Sequence, residues 1–215
     1  MIQYMQMLDL IVAAGPIFIL LVLSEILWRS KILRGEAARK VLHIFIGCYI
    51  AAWPFLMPFR TIQLISIALL VVVYISHTFH VFHAINGVKR KTWGDVLYAV
   101  AIGVTASLTK NPWVFTIAIL HMSLADGLAG LVGTHYGKRS TYTILGYEKS
   151  FVGSVTFILS SFVILIATAT HHPQGISFAA LGALPFIAAG IENLGIAGTD
   201  NVLIPLLIVA MFSLT

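Results

Sequence analysis

Apolar stretches fill most of this chain and leave only short polar joints between them. A helix that crosses a bilayer needs roughly 20 mostly apolar residues, and about eight stretches approach that length. They lie near 8–28, 41–58, 61–80, 95–109, 112–134, 153–170, 177–191 and 202–215, and the last two are short. Charged residues make up 10% of the chain, against about 25% in soluble domains. The sequence therefore predicts an all-α polytopic integral membrane bundle of seven or eight helices, forming one domain over 1–215.

The basic residues predict how this bundle lies in the bilayer. Of the 13 lysines and arginines, all but Arg60 and Lys110 fall in alternate joints. They are Arg29, Lys31, Arg34, Arg39, Lys40, Lys89, Arg90, Lys91, Lys138, Arg139 and Lys149. Because joints rich in Lys and Arg stay in the cytoplasm, we expect these joints inside and both termini outside. The net charge of +5 is then a topology signal, and we expect the membrane to be a prokaryotic cytoplasmic one and no nucleic acid partner.

The acidic residues gather on the same side, although acids contribute little to membrane orientation. Of the eight, Asp9 alone is expected toward the outer side. Glu25, Asp126 and Glu192 fall at membrane depth, where a carboxylate costs about 2.5–3.5 kcal/mol unless it is partnered or hydrated. We therefore expect a polar cavity that opens to the cytoplasm and is lined by acids and bases from several helices.

The segment Arg39-Lys40-Val-Leu-His43-Ile-Phe-Ile-Gly47 begins the second stretch. Arg39, His43 and Gly47 are four residues apart, so on a helix they lie on one face. A cationic pair followed by an imidazole suits a phosphate group near the head-group plane. The same pattern equally suits an anchoring Arg-Lys pair with an incidental histidine.

Asp126 stands inside an apolar stretch and is followed by glycines at helical spacing. These are Gly130, Gly133 and Gly137. Small residues at this spacing usually serve close helix packing, which explains the glycines and leaves the aspartate unexplained. A polyphosphate with a divalent cation accounts for both, because a carboxylate binds the metal and bare backbone lets phosphates approach. Lys138 and Arg139, just beyond, supply positive charge.

The segment Gly146-Tyr-Glu148-Lys149-Ser150-Phe-Val-Gly153-Ser154 opens the sixth stretch. Ser150 or Gly153 at a helix start would leave free backbone N–H groups, which is an anion-binding arrangement, and Lys149 lies alongside. Ordinary helix capping produces the same pattern. The segment gains weight because we expect it on the same side of the membrane as Asp126.

Two acid–amide pairs, Glu192-Asn193 and Asp200-Asn201, lie in the joint between the last two stretches. Their oxygens would complete an oxygen-rich magnesium site. Alternatively, Asp200 or Asn201 only caps the last helix.

Other polar residues receive weaker assignments. Asp95 begins the fourth stretch, where an acid favours the helix dipole, and we treat it as a secondary site residue. His77, His80 and His83 drift around a helix at three-residue spacing. We interpret them as interfacial histidines rather than as a zinc site.

Taken in order, these motifs resemble the dolichol kinase, phytol kinase and CTP-dependent diacylglycerol kinase family, which is related to phosphatidate cytidylyltransferases. The resemblance covers about residues 20–210. It rests on Arg39-Lys40-x-x-His43-x-x-x-Gly47, Thr92-Trp93-Gly94-Asp95, Ala125-Asp126-Gly127-Leu-Ala with Gly133 and Gly137-Lys138, Lys149-Ser150-x-x-Gly153-Ser154, and Asp200-Asn201-x-x-Ile204-Pro205. Where the family often has an acid inside the fourth of these segments, this chain has Phe151 and Val152.

The resemblance implies a membrane enzyme that transfers the γ-phosphate of CTP, or of a related nucleotide, to a lipid alcohol with Mg²⁺. The alcohol would be phytol, a polyprenol or diacylglycerol. His43 is expected to accept the alcohol proton, with an aspartate as the alternative, and Asp126 and Lys149 complete the catalytic group. Asp126 and Asp200 are expected to bind Mg²⁺, with Glu192 as a helper. The residues expected at the nucleotide are Arg39, Lys40, Gly127, Gly130, Gly133, Lys138, Ser150, Gly153, Ser154 and Asn201.

Two other functions remain open. A cytidylyltransferase-like enzyme that makes a CDP-lipid shares the Asp126 segment, but the chain lacks the later Lys-Asp and His-Gly-Gly…Asp-Arg-x-Asp signatures. A transporter or lipid-binding protein would line a path with the same acids. A transporter would favour inverted repeats, and the sequence shows no clear repeat. The identity of the lipid, the choice of CTP over ATP or UTP, and a homo-oligomeric state are open at this point.

Overall fold

The computed structural model describes residues 2–79, 93–171 and 176–213. Within these ranges the chain forms eight long helices, a short 3₁₀ turn at Trp53–Phe55 and one hairpin. The helices are α1 (Ile2–Arg29), α2 (Gly35–Ala51), α3 (Phe59–Phe79), α4 (Gly94–Leu108), α5 (Pro112–Arg139), α6 (Phe151–Ala169), α7 (Phe178–Leu194) and α8 (Asp200–Ser213). The hairpin joins β1 (Thr141–Ile144) to β2 (Tyr147–Ser150). The prediction of a helical bundle is confirmed for the described part, and the hairpin is an element that the apolar pattern did not predict.

Four of the described helices are long and apolar enough to cross a membrane. They are Asp9–Arg29 in α1, Phe59–Ser76 in α3, Pro112–Arg139 as the whole of α5, and Phe151–Ala169 as the whole of α6. α4, α7 and α8 are apolar but shorter. Large apolar side chains such as Phe18, Leu64 and Phe79 are exposed, as expected of a surface that faces lipid tails. The membrane character is thereby supported, whereas seven or eight spans and termini on the outer side stay predictions.

α5 is the central helix of the bundle. In its most apolar window 72% of the residues are buried, against 22% in α1 and α3. Ile119 and Met122 pack into a core shared with α1 to α4, and Ile117 and Ala125 pack into a second core with α6, α7 and α8. A helix that is apolar on all sides is buried on all sides, so α5 joins the two halves.

α5 and α6 begin at side-chain caps. Asn111 Oδ1 accepts a hydrogen bond from the Trp113 N–H at 2.9 Å, and Pro112 occupies the first turn. Ser150 Oγ accepts from the Gly153 N–H at 3.1 Å and starts α6. The first N–H groups of a helix have no partner within it. The Asn111 and Ser150 side chains accept hydrogen bonds from some of these N–H groups. Such partners matter in a membrane protein because lipid tails cannot form hydrogen bonds.

The hairpin turns at Leu145 and Gly146, which both have positive φ angles, 51° and 81°. A two-residue turn of that kind is the type I′ turn that suits the twist of paired strands. Thr141 lies opposite Ser150 in the antiparallel register. β2 therefore delivers Lys149 and the Ser150 cap directly to the start of α6.

The start of α8 is tied to the start of α4. Asn201 Nδ2 donates to the Gly94 carbonyl oxygen at 2.9 Å. Ala197, in the joint, has a φ of 53°, and this left-handed residue lets the chain reverse direction within a short distance. The reversal brings Glu192, near the end of α7, close to Asp200 at the start of α8.

Candidate functional site

A cavity of about 470 Å³ opens at the end of the bundle where α2, α6 and α8 begin and α5 and α7 end. Its walls come from these helices, from the hairpin and from the joint before α8. The residues expected at the metal, the nucleotide or the proton transfer all line it except Gly127, and Asp95, the secondary site residue, does not line it. Gly127 lies against Ile44 of α2, and a side chain added there would collide with it. Gly127 is thus placed as a packing glycine between α5 and α2.

Three carboxylates meet inside the cavity. Asp126 of α5, Glu192 of α7 and Asp200 of α8 each have an oxygen within 4.8 Å of the other two. Asp126 and Glu192 are buried, and Asp200 is partly buried. Like charges this close repel unless cations lie between them. A set of carboxylate oxygens from several elements is the kind of ligand set that Mg²⁺ accepts.

Two lysines pair with two of these carboxylates. Lys40 Nζ of α2 lies 2.6 Å from Asp126 Oδ2, and Lys149 Nζ of β2 lies 2.6 Å from Glu192 Oε1. Lys149 also donates to the Glu192 carbonyl oxygen at 2.8 Å. With all three acids ionised, this group of five residues carries one negative charge more than its two lysines compensate. The arrangement can accept a divalent cation if the lysines move to other anions.

His43 lies beside Asp126, and its tautomer follows from its partner. Nε2 is 3.0 Å from the Met122 carbonyl oxygen, which can only accept, so Nε2 carries the proton. Nδ1 is then the nitrogen with a free lone pair in the neutral ring. Nε2 is also 3.7 Å from Asp126 Oδ2. The ring packs 4.4 Å from the Tyr98 ring, centroid to centroid.

The glycines after Asp126 make room for neighbouring side chains. A Cβ at Gly130 would lie 2.7 Å from Lys40 Cε, so the bare backbone lets the lysine cross α5. A Cβ at Gly133 would lie 2.7 Å from Ser150 Oγ, and one at Gly137 would collide with the same serine. Close packing of α6 on α5 therefore accounts for Gly133 and Gly137, as the packing alternative held, although Gly130 and Gly133 also line the cavity.

The hairpin is held to the site by a network of hydroxyl and amide groups. Tyr142 Oη donates to Asn193 Oδ1 at 2.7 Å and lies 2.6 Å from Ser154 Oγ. Ser154 Oγ is also 3.1 Å from Asn193 Oδ1. These contacts join β1 to α6 and α7, so Ser154 has a structural partner on the hairpin. The Ser150 cap is likewise the structural alternative that the sequence left open.

Two further basic residues, Arg39 and Lys138, line the cavity. Arg39 is held within its own helix by Glu36, whose Oε2 accepts from Arg39 Nε at 3.0 Å and from Nη2 at 2.9 Å. Lys138 is exposed in the last turn of α5. Lys138 is thus an exposed cation of the cavity wall, whereas the Arg39 side chain is largely shielded from solvent.

Asp95 does not line the cavity, Asp200 also begins a helix, and several other assignments fall beyond the described residues. Asp95 lies in the first turn of α4, one residue after the Gly94 carbonyl that Asn201 binds. Asp200 is the first residue of α8, where the helix dipole favours an acid. The side chain of His77, the residues His80 and His83, and Lys89, Arg90, Lys91 and Thr92 lie outside the description.

Three groups near the carboxylates had no assignment from the sequence. They are the Tyr98 ring, the Met122 carbonyl oxygen and the Tyr142 hydroxyl. A backbone carbonyl leaves no signal in a sequence. Tyr142 had one, because the alternating polar and β-favouring residues on either side of Leu145-Gly146 are typical of a hairpin.

Comparison with known proteins relates the chain to one kind of enzyme. No family model matches the chain, and no solved structure matches it. The chain is 29% identical over 189 residues to the phytol kinase of Synechocystis sp., and the match covers 85% of this chain and 81% of that protein. The similarity includes most of both chains and supports a relationship with the phytol and polyprenol kinases.

Proposed function

We propose that this protein is a membrane-embedded lipid-alcohol kinase. It transfers the γ-phosphate of CTP, or of a related nucleoside triphosphate, to an isoprenoid alcohol such as phytol or a polyprenol, with Mg²⁺ as the metal. The observation that carries the proposal is the cluster of Asp126, Glu192 and Asp200 facing Lys40 and Lys149 in one cavity. The similarity to a phytol kinase over 189 residues supports the same reaction.

The ion pairs supply a way to bind metal and polyphosphate together. Asp126, Asp200 and Glu192 would hold Mg²⁺, which neutralises and orients the phosphate oxygens when bound. Lys40 and Lys149 then lose their carboxylate partners and pair with phosphates. Each carboxylate exchanges a lysine for the metal, and each lysine exchanges a carboxylate for a phosphate. No buried charge is therefore left without a partner. The exposed Lys138, and Arg39 if Glu36 releases it, would meet the outer phosphates.

Phosphoryl transfer asks the protein mainly to position the reactants and to stabilise charge. The alcohol oxygen forms a bond to the γ-phosphorus while the bond from that phosphorus to the bridging oxygen breaks, and the nucleoside diphosphate leaves. The alcohol proton goes to His43, through Nδ1, because Nε2 already carries a proton for the Met122 carbonyl. An aspartate of the cluster is the alternative acceptor.

The site would face the cytoplasm, where nucleotide is available. Lys40 and Lys149 line the cavity, as do Arg39 and Lys138, and all four belong to the joints that the positive-inside rule assigns to the cytoplasm. The hydrocarbon tail of the alcohol would stay in the bilayer beside the exposed apolar faces of the helices. The hydroxyl group alone then needs to reach the polar cavity.

One labelling experiment tests the reaction. Purified protein in lipid nanodiscs is incubated with phytol, a longer polyprenol or diacylglycerol, Mg²⁺, and CTP labelled at either the α or the γ phosphate. Label from the γ position in the extracted lipid supports the kinase. Label from the α position would instead identify a CDP-lipid synthase. The same incubations are repeated with ATP and UTP labelled in the same way. If no label enters any alcohol from any of the three nucleotides, transport or lipid binding remains and the proposal is overturned.

A further inference from the structure

A buried histidine and serine lie behind the cavity and have no part in the reaction described above. His121 of α5 and Ser161 of α6 are both 0% exposed. His121 Nε2 is 2.7 Å from Ser161 Oγ, and His121 Nδ1 is 2.8 Å from the Ile117 carbonyl oxygen. Both ring nitrogens are therefore engaged inside the apolar part of the bundle.

The tautomer of His121 is set by these two partners. The Ile117 carbonyl only accepts, so Nδ1 carries the proton, and Nε2 accepts from the Ser161 hydroxyl. His43 has the opposite tautomer, with its proton on Nε2 for the Met122 carbonyl. A buried polar side chain without partners would destabilise the bundle, so the pair is stable only while α5 and α6 keep this register.

His121 is also the first residue of a π-helical turn, His121–Ala125, inside α5. The Asp126 N–H donates to the carbonyl oxygens of His121 and Ser123. The Met122 carbonyl oxygen, between those two in sequence, accepts from His43 instead. A π turn contains one more residue than an α turn. If it relaxed, the part of α5 that follows would rotate by roughly 100° relative to the part before it.

After that rotation, α5 could not place both its core residues and its site carboxylate correctly. Ile119, before the π turn, belongs to the core shared with α1 to α4. Asp126, after it, belongs to the carboxylate cluster. The π turn is what lets both residues keep their places at once.

The π turn is packed between α2, α6 and α8. On one side α6 contributes the Ser161 hydroxyl to His121. On the other side α2 packs so closely that a side chain at Gly47 would collide with Ser123. The contact with α2 is steric, whereas α6 adds the Ser161 hydrogen bond to its own apolar packing against the turn.

We propose that His121 and Ser161 are positioning residues, which hold the π turn and through it set the Asp126 carboxylate and the Met122 carbonyl that orients His43. The inference rests on the proposed function, because Asp126 and His43 matter to the reaction only if that function holds. Its geometric part is independent of activity.

The test uses Ser161→Ala, with Ser160→Ala as the matched control, since Ser160 is the half-buried neighbour on the same helix. At saturating CTP, Ser161→Ala should raise the Mg²⁺ concentration for half-maximal rate roughly fivefold, the size expected of one neutral hydrogen bond. The KM for the lipid alcohol should not change. If the substitution only reduced the amount of folded protein, the maximal rate would fall, but the Mg²⁺ concentration for half-maximal rate would not change.

A second readout needs no activity. In protein labelled with ¹⁵N-histidine, the wild-type spectrum should show the Nδ1–H tautomer for His121 and the Nε2–H tautomer for His43, each identified by its loss in a His→Gln variant. Ser161→Ala should shift the His43 resonances, although Ser161 does not touch His43, and Ser160→Ala should leave them in place.

The outcomes separate the two proposals. If wild-type protein phosphorylates no lipid but Ser161→Ala still shifts His43, the kinase fails and the positioning geometry stands. If wild-type protein is active and Ser161→Ala changes neither the Mg²⁺ dependence nor the His43 resonances, the positioning role is overturned.

Discussion

Lys40 and Asp126 lie 86 positions apart in the sequence, yet their Nζ and Oδ2 atoms are 2.6 Å apart in the cavity. The pair joins the start of α2 to the middle of α5, with both side chains largely shielded from solvent. An ion pair of this kind holds the site together before any ligand arrives. It also places a cation where a metal ion would have to bind.

Asp126→Asn should severely reduce turnover while the protein still inserts and folds. The amide keeps the size of the side chain and loses the charge that would hold Mg²⁺, so the rate should fall by roughly 10²–10³-fold. The measurement is transfer of the γ label into lipid, with Asp9→Asn in α1 as the control of equal chemistry. Activity near that of the wild type in Asp126→Asn would remove this carboxylate from the site.

Lys40→Gln should have opposite effects on the metal and on the nucleotide. Without nucleotide, Mn²⁺ should bind roughly tenfold more tightly, because a competing positive charge beside Asp126 is gone. With nucleotide, the KM for CTP should rise, because a phosphate partner is gone. Electron paramagnetic resonance titration of Mn²⁺ measures the first effect and steady-state kinetics the second. Lys110→Gln, whose ammonium binds the Ala106 carbonyl, is the control, and weaker Mn²⁺ binding in Lys40→Gln would contradict the exchange of partners.

His43→Gln distinguishes a base from a positioning residue. A glutamine amide can still donate to the Met122 carbonyl, as Nε2 does now, but it has no basic nitrogen. If Nδ1 accepts the alcohol proton, kcat should fall by roughly 10²–10⁴-fold, the usual contribution of general base catalysis. His135→Gln, on the exposed end of α5, controls for loss of an imidazole. If His43→Gln keeps most of its activity, His43 is not the base, and an aspartate of the cluster accepts the alcohol proton.

Tyr142→Phe should loosen the hairpin without touching the carboxylates. The hydroxyl that it removes bonds Asn193 and lies against Ser154. One such hydrogen bond contributes about 1 kcal/mol, so the hairpin should open more often and the KM for CTP should rise a few-fold. Hydrogen–deuterium exchange of residues 141–150 measures the opening directly. Tyr136→Phe, at an exposed position, should change neither quantity.

The helices were predictable from the sequence because each one depends on the apolar residues of its own segment. A stretch of apolar residues long enough to enter a bilayer must satisfy its backbone hydrogen bonds internally, and a helix does so locally. The eight predicted stretches accordingly match eight helices in the described residues. Boundaries were less well predicted where local chemistry takes over. α2 ends at Ala51 because Pro54 follows in a 3₁₀ turn, whereas 41–58 was expected as one span.

The candidate residues were also predictable as residue types. A carboxylate or lysine at membrane depth is costly, so Asp126 and Glu192 were conspicuous without any structure. The hairpin was missed because its signal, a two-residue turn between short strands, is weak beside the apolar pattern that dominates the chain. Its strands nevertheless deliver Lys149 to Glu192.

The sequence did not predict which side chains pair with one another. That Lys40 pairs with Asp126 and Lys149 with Glu192, and that a π turn gives the Met122 carbonyl to His43, depends on how helices far apart in sequence pack and rotate against one another. The apolar pattern and the charges are local properties, each residue adding its own transfer free energy, so they report which segments enter the membrane and on which side. Distances between side chains on different helices arise from packing the whole bundle, and no single segment contains them.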